Sequence, residues 1–385
     1  MKNSVHLISE SSIVVLFILI VSCSHSKKGD NNNSLAGITS LQLKDSILVN
    51  YLEELTLMDA SENFSEFLAL NKKTDEVVIF NNDGIIVNSF ENRKDSPDAV
   101  NNIFSLSFTK SNEIILGASP SIFAIYDRGG NQLIKNKFSS LFPRGSSIVQ
   151  KQLFNTEENK VLGHLHAYPD SSFSNGIIKP TLLLIDPEAI SEPKPMPKIP
   201  AKSKYSDGKF HGYVFPILNY FRGKLMLAYS NDPRLYVYNY QNEELYLSET
   251  IDLDIYDFVE IVSSSDEKSF DFDNNYREMK PGMIWGILSN DRNIFVMYAK
   301  GISETRFDGE LHFKITKESI ESNPMYLMVL DKNLKIVQKD IAIPYFILDG
   351  FKSVSDKGVF IGRKSPIFSD IEANHEIFYT FEIDR

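Results

Sequence analysis

The feature that most constrains the fold is a pair of hairpin types repeated along the chain. From Leu41 onward, short runs of Val, Ile, Leu, Phe and Tyr alternate with turns rich in Asn, Asp and Gly, and helical spacing is nearly absent. In one hairpin type, Glu76-Val77-Val78-Ile79-Phe80 turns through Asn81-Asn82-Asp83-Gly84 into Ile85-Ile86-Val87, with Asp-Gly supplying the positive φ of a tight hairpin. A second copy runs 122–126, turns at Asp127-Arg128-Gly129-Gly130-Asn131 and returns over 132–134. Further copies centre on Ile185-Asp186-Pro187, Tyr240-Gln241-Asn242-Glu243 and Asp331-Lys332-Asn333.

The other hairpin type precedes these. Residues 104–108 turn at Ser111-Asn112-Glu113 into 114–117, and 148–154 turn at Glu157-Glu158-Asn159 into 161–166. Residues 214–220 turn at Arg222-Gly223 into 225–229, and 283–288 turn at Asn290-Asp291-Arg292 into 294–298; a last copy, 347–354, turns at Asp356-Lys357-Gly358 into 359–361. Inner plus outer hairpin makes a four-stranded blade, so the expected fold is all-β, a six-bladed β-propeller. The last blade has only three strands before the chain ends. A strand over 38–43 is therefore expected to pair as its outermost strand and close the ring, sealing both terminal edges. Seven blades is the alternative, because 47–90, read as the first blade, is poorly patterned. About 60 residues per blade exceeds the roughly 40–50 of compact propeller repeats, so segments are inserted. The insertions 169–179, 300–323 and 363–374 fall between second and third strands, and 91–102, 191–212 and 252–281 between blades. Both connection types leave one face of a propeller, which marks that face for ligand or partner recognition.

The amino terminus carries an address. Ile13 to Val21 are nine unbroken apolar residues, enough helix for about half of a bilayer core, which reads as a signal-peptide core rather than a spanning anchor. The run ends Ile20-Val21-Ser22-Cys23, which resembles a bacterial lipobox, and Cys23 is the only cysteine in the chain. Residues 1–22 are thus expected to be removed, Cys23 to be lipidated, 23–36 to form a flexible polar tether, and 37–385 to form one propeller domain. Glu10 is atypical of a signal peptide and keeps an ordinary cleaved secretion signal as the alternative. Ser24 after the cysteine resembles lipoproteins sorted to the outer membrane, and the tether, with Lys27 and Lys28, lacks the acidic cluster some lipoproteins use to reach the cell surface. The expectation is an outer-membrane lipoprotein facing the periplasm, with the membrane as its partner through the lipid on Cys23. The mature chain has no cysteine left for disulfides and must rely on a large core.

Composition excludes several classes. With 42% hydrophobic and 12% aromatic residues the chain is neither collagen, coiled coil nor disordered, and a formal charge of −11 argues against nucleic-acid binding. The Gly-x-Ser-x-Gly elbow, phosphate loop, His-Glu-x-x-His and Gly-x-Gly-x-x-Gly motifs are all missing from the sequence, so no catalytic residue, cofactor or metal site is assigned.

The candidate binding residues are His164, His166, Asp254, Asp257, Asp271, Asp273 and Trp285. His164 and His166 leave one face of a predicted strand but lack a visible third ligand, which favours a solvated pair. Asp271-Phe272-Asp273-Asn274-Asn275 begins like a calcium loop, but Tyr276 stands where Gly is needed and Gly282 where the bidentate Glu belongs. The stretch 252–273 holds eight carboxylates against Lys268, which reads either as a solvated acidic loop or as a surface for a basic partner. Trp285, the single tryptophan, falls on a predicted innermost strand, where it packs in the core or stacks on a sugar at the channel mouth. Pro193, Pro195, Pro197 and Pro200 are expected to trim the edge of a blade.

With the lipobox and hairpins such as Phe80-Asn81-Asn82-Asp83-Gly84, the chain resembles the degenerate six-bladed propeller lipoproteins of unknown function from Bacteroidetes-type bacteria. That resemblance implies fold and location and carries no catalytic residue. The expected role is a binding module for an envelope protein or glycan on the long-loop face; the alternative is a propeller hydrolase or lyase with its site in the central channel.

Overall fold

The structure is a computed structural model and describes residues 40–91, 100–118, 122–138, 151–165, 181–189, 194–195, 200–212, 215–303, 317–368 and 375–384. The chain opens with β1 (Leu41–Val49) and then builds blade 1 from β2 (Thr56–Ala60), β3 (Glu66–Asn71), β4 (Glu76–Asn81) and β5 (Ile86–Glu91). Blade 2 follows with β6 (Ile103–Phe108), β7 (Ile114–Ala118), β8 (Ile122–Tyr126) and β9 (Gln132–Lys137), and blade 3 with β10 (Leu153–Asn155), β11 (Val161–Leu165), β12 (Thr181–Ile185) and β13 (Lys194–Pro195). Blade 4 contains β14 (Pro216–Phe221), β15 (Lys224–Tyr229), β16 (Asp232–Gln241) and β17 (Glu244–Asp252). Blade 5 contains β18 (Met283–Ser289), β19 (Asn293–Ala299), β20 (Met325–Asp331) and β21 (Ile336–Ala342), with the short helix α1 (Lys317–Ser322) before β20. Blade 6 has β22 (Ile347–Val354), β23 (Val359–Lys364) and β24 (Glu376–Ile383).

Six four-stranded antiparallel sheets result, and the sixth is completed by β1. The innermost strands β2, β6, β10, β14, β18 and β22 touch their neighbours in turn and return to β2, so the ring is closed and six-bladed. Six hydrophobic clusters lie between successive blades. One holds Leu68, Val77 and Ile79 of blade 1 against Leu106 and Leu116 of blade 2, and another holds Val49, Phe80 and Phe378 where blade 6 meets blade 1. Each sheet is therefore covered on both sides. This explains why β7 and β8 read as unbroken apolar runs, all five residues of each being buried, whereas the outermost β5 and β9 are largely exposed.

The closing strand differs in extent from the sequence expectation. It covers Leu41–Val49 rather than 38–43, pairing from Leu41↔Ile383 to Val49↔Glu376 with a bulge between Leu43 and Asp45. Buried Ile47 and Val49 anchor it in the blade 6–blade 1 core, so they belong to the closing strand and blade 1 starts at Thr56 instead of 47. The Pro-rich segment trims its blade as expected: Lys194–Pro195 is a two-residue outermost strand, while Pro193 and Pro197 lie outside the described residues. The outer hairpin of each of several blades supports its neighbour. Gly84, at φ +75°, brings its turn against the Leu48 carbonyl, and Gly130 brings the next turn against the Phe90 ring. Lys194 Nζ likewise donates to Glu243 O at 3.2 Å.

The first-to-second and third-to-fourth strand connections leave one face, where most of the described turns are short. The second-to-third and blade-to-blade connections leave the other, and among them are the long ones between β11 and β12, β19 and β20, β13 and β14, and β17 and β18.

Candidate functional site

On the long-loop face the connection after β17 is held as a fixed platform. Phe210 and Ser264 form an antiparallel bridge with both N–H···O distances 2.9 Å, joining the loop before β14 to the loop after β17. Beneath it Phe210, Ile261 and Phe270 are buried together, with Phe272 and Tyr276 packed against them. Asn231, almost fully buried in the turn between β15 and β16, accepts from Ile261 N at 3.0 Å and donates to Gly282 O at 2.6 Å. Next to it Asp232, fully buried, accepts from Ser203 Oγ at 2.9 Å, Tyr236 Oη at 2.8 Å and Arg234 at 3.1 Å. Lys204 spans Asn231 Oδ1 (2.7 Å) and Glu260 (3.3 Å), and burial lowers its pKa against the opposing pull of Glu260 and Asp232. On the blade 5 side, Val259 N donates to Lys300 O and Lys280 pairs with Ile302. A connection this long would normally be free to wander; here hydrogen bonds from three directions fix it.

At the junction of blades 6 and 1, the same face holds a charged mouth. Leu348 pairs with Arg363 and Ser353 pairs with Ile361, so the innermost strand β22 spends five steps where β23 spends two. The surplus contains Asp349 at φ +54° and Gly350 at φ +71°. The bulge packs on blade 5, where Phe351 N donates to Met297 Sδ, and it carries Asp349 and Lys352 on the innermost strand. Lys352 donates to Asp349 O at 3.3 Å. Burial pushes the Lys352 ammonium below its ordinary pKa, Asp349 opposes that, and Lys72 adds to it. Lys72 itself is pushed down by burial and by Arg363 against Asp349 and Glu54.

Beside Lys72, Glu53, Glu54, Thr56, Asn71 and Lys73 line a cleft of about 490 Å³. Buried Asn71 sets its floor, donating to Glu53 at 2.5 Å and to Tyr51 Oη at 2.9 Å while accepting from Lys73 N at 2.9 Å. Hydrogen bonds from Asn71 and Lys73 hold Glu53 below its usual pKa, and burial with the Glu76 contact pushes Tyr51 up to about 12. Arg363, 5% exposed, latches the mouth: it is bidentate to Glu376 (2.8 and 3.2 Å) and reaches Glu54 at 2.5 Å. Deeper in the ring, Lys151 of blade 3 pairs at 2.7 Å with buried Asp59 of the innermost strand of blade 1, which also accepts from Phe108 N at 3.0 Å. A cleft lined by two carboxylates, two lysines, an amide and a hydroxyl suits a ligand carrying polyhydroxyl groups.

The residues singled out in the sequence are scattered rather than gathered there. Asp254 is ion-paired with Lys339 at 2.6 Å, and Asp257 sits exposed at φ +60° in a turn. Asp271 accepts from Asn274 N at 2.9 Å and opens the π-helical turn Asn274–Glu278, which incorporates Tyr276; Asp273 is exposed at its start. That turn is where a calcium loop would need glycine. Asp252 pairs with Arg234 at 3.0 Å and Asp266 accepts from Ser269 N at 2.9 Å, so much of the acidic stretch is engaged in holding its own loop. Among the described residues no three His, Cys, Asp or Glu side chains are placed to hold a metal ion. Trp285 lies on innermost β18 at a bulge beside Gly286, half-buried against the blade 5–blade 6 core. His164 is opposite Leu182 in β11; His166, Cys23 and the tether lie outside the described residues. The mouth residues Lys72, Asp349, Lys352 and Arg363 were not singled out. One signal pointed to them: Asp349-Gly350, a turn dipeptide inside a predicted strand.

No family model and no curated protein matches the chain. Solved structures do. A member of the DUF4221 family from Bacteroides vulgatus superposes with a TM-score of 0.65 at 12% identity, covering 91% of this chain and 100% of that one. A protein from Bacteroides fragilis, named as a candidate for export, superposes with a TM-score of 0.53 at 14% identity, covering 90% and 94%. The likeness is one of fold. The chain is thus a propeller similar to Bacteroides proteins of unknown function, the resemblance its sequence layout suggested.

Proposed function

We propose that this is a cell-envelope lipoprotein, tethered to the outer membrane through acylated Cys23 and facing the periplasm, whose long-loop face binds an envelope protein or glycan. The observation that carries the binding reading is preorganisation. The loop after β17 is bonded to the loop before β14, to the Asn231–Asp232 turn and to blade 5, so a partner docking there orders little that is not already ordered. Tyr256 at 77% and Val262 at 58% exposure stand on that platform as apolar contact points. Export is supported by the apolar run before Cys23 and by the name of the Bacteroides fragilis neighbour. Among the described residues no helix is long and apolar enough to cross a membrane, and a lipid anchor needs none.

The test is affinity capture of the native lipoprotein from cross-linked envelopes beside a Tyr256→Ser/Asp257→Asn/Val262→Ser variant. Asn keeps the left-handed turn at 257, so the variant alters recognition rather than loop geometry. A partner captured by the native protein and lost from the variant supports the reading; identical captures refute it.

A second reading, a hydrolase or lyase acting in the channel, is favoured by the charged residues on innermost strands, Asp59 with its partner Lys151 and Asp349 with Lys352. Turnover of envelope glycan fragments that disappears in Asp349→Asn would support it.

A further inference from the structure

Exposed apolar residues recur at one structural position on several outermost strands; Tyr246 and Leu247 open β17 in the same way, while Leu48 lies at the other end of β1. Leu43 (55% exposed) lies near the start of β1, Ile85, Ile86 and Val87 (60, 36 and 48%) open β5, and Leu133 (51%) opens β9. Each follows a tight third-to-fourth connection or, for β1, pairs beside the end of the third strand, Leu43 being opposite Phe381. All three strands therefore carry these residues at the tight-turn end. The blades are consecutive in the ring, 6, 1 and 2, and each tight turn packs on the far end of the preceding blade's outermost strand, the Gly84 turn on Leu48 and the Gly130 turn on Phe90. A rim of this kind is exposed although its blades are otherwise well buried, and an outermost strand normally carries charge at such positions.

Where the chain enters the propeller says what covers the rim. Ser40 O accepts from Asp384 N at 3.0 Å, so the chain comes in at the tight-turn end of blade 6, immediately before Leu43. Seventeen peptide steps separate Cys23 from Ser40. Even fully extended, a segment of that length reaches only about 60 Å. A chain held by lipid at Cys23 thus keeps this corner, more than any other part of the propeller, at the bilayer surface.

We infer that the tight-turn rim of blades 6, 1 and 2 rests on the lipid surface, with Leu43, Ile85, Ile86, Val87 and Leu133 dipping into the interface, and that the long-loop face is thereby presented away from the membrane. The inference rests on the lipid-anchor reading above. Single apolar contacts are weak, but the anchor supplies the local concentration that makes several of them effective.

The mature chain has no cysteine besides Cys23, whose thiol the lipid consumes, so single engineered cysteines label cleanly. Lipidated Ile85→Cys, Leu133→Cys and Val262→Cys proteins, each carrying an environment-sensitive fluorophore, are placed on phosphatidylethanolamine–phosphatidylglycerol vesicles and probed with an aqueous quencher. The expected result is a blue shift and a severalfold loss of quenching at 85 and 133, with 262 unchanged from its value in detergent. Equal quenching at all three positions, or protection at 262 alone, overturns the inference. Protection at 85 and 133 that rises with protein concentration in the absence of vesicles also overturns it, by making a second copy the occupant. Intact mass of the protein from envelopes reads the anchor separately: an unacylated chain refutes the lipid reading, while an acylated chain with an unprotected rim refutes only the orientation.

Discussion

Arg363→Met is the substitution whose cost the structure defines best. The guanidinium is 5% exposed and sits at the seam of the ring, tying β23 to β24 through Glu376 and to the segment entering blade 1 through Glu54. Burial works against its charge, but the hydrogen bonds and charges of Glu376 and Glu54 outweigh that and push its pKa above the ordinary value. Removing one partner of a buried pair costs about 3–5 kcal/mol. The lower end applies because Glu376 keeps 16% exposure, and the Glu54 arm, 66% exposed, adds about 0–1 kcal/mol after solvent screening. A loss of about 3 kcal/mol follows, or a fall in Tm of about 4 °C for a domain of this size. The assay is equilibrium guanidinium unfolding followed by Trp285, the only tryptophan, which packs at the neighbouring blade 5–blade 6 core. Arg363→Met with Glu376→Leu removes both charges and should recover most of the loss. A single variant within 1 kcal/mol of wild type, or a double variant as unstable as the single, would refute the buried-latch reasoning.

Three further outcomes follow from local geometry. Gly84→Ala would place a Cβ 2.0 Å from Leu48 O at φ +75°, whereas Gly358→Ala at φ +84° meets nothing within 4 Å; the first should cost well over the roughly 1–2 kcal/mol of left-handed strain expected for the second, read by thermal unfolding. Burial opposes ionisation of Asp340, but Lys300 at 2.9 Å and Tyr298 at 2.8 Å outweigh it and hold its pKa below the ordinary carboxylate value. Its contribution is then present above the unfolded pKa of about 3.9 and lost as pH falls through the lower folded value. Asp340→Asn, discounted for its exposure, should cost about 0.5–1 kcal/mol at neutral pH, and a stability gap that fails to close in acid would count against the pairing. Because burial and Arg363 depress Lys72, its amine should react with an acylating reagent below the pH at which ordinary surface lysines do; peptide mapping that finds Lys72 no faster than Lys357 would contradict the mouth electrostatics.

The hairpins that the sequence displayed most plainly, such as 76–87 and 122–134, are the ones the structure reproduces nearly residue for residue, because Asp-Gly and Gly-Gly turns fix register locally. Ring closure was legible in kind but misplaced in extent. A strand paired with residues more than 300 positions away leaves no local mark, and Ile47 and Val49 look alike whichever blade they serve. The long-loop face was legible from insertion positions alone. The charged mouth was not, since Lys72, Asp349 and Arg363 meet only through tertiary packing; nor was it evident that Asp252, Asp254 and Asp266 are engaged in salt bridges or turn caps within or beside their own loop.

The central claim is that recognition resides on the long-loop face. The most direct measurement is photo-cross-linking in intact cells from one position at a time, Tyr256 or Val262 on that face and Asn112 or Lys357 in tight turns on the other. The account predicts a discrete, shared adduct from 256 and 262 and none from 112 and 357. The same adduct from both faces, or one from the tight turns alone, would contradict it.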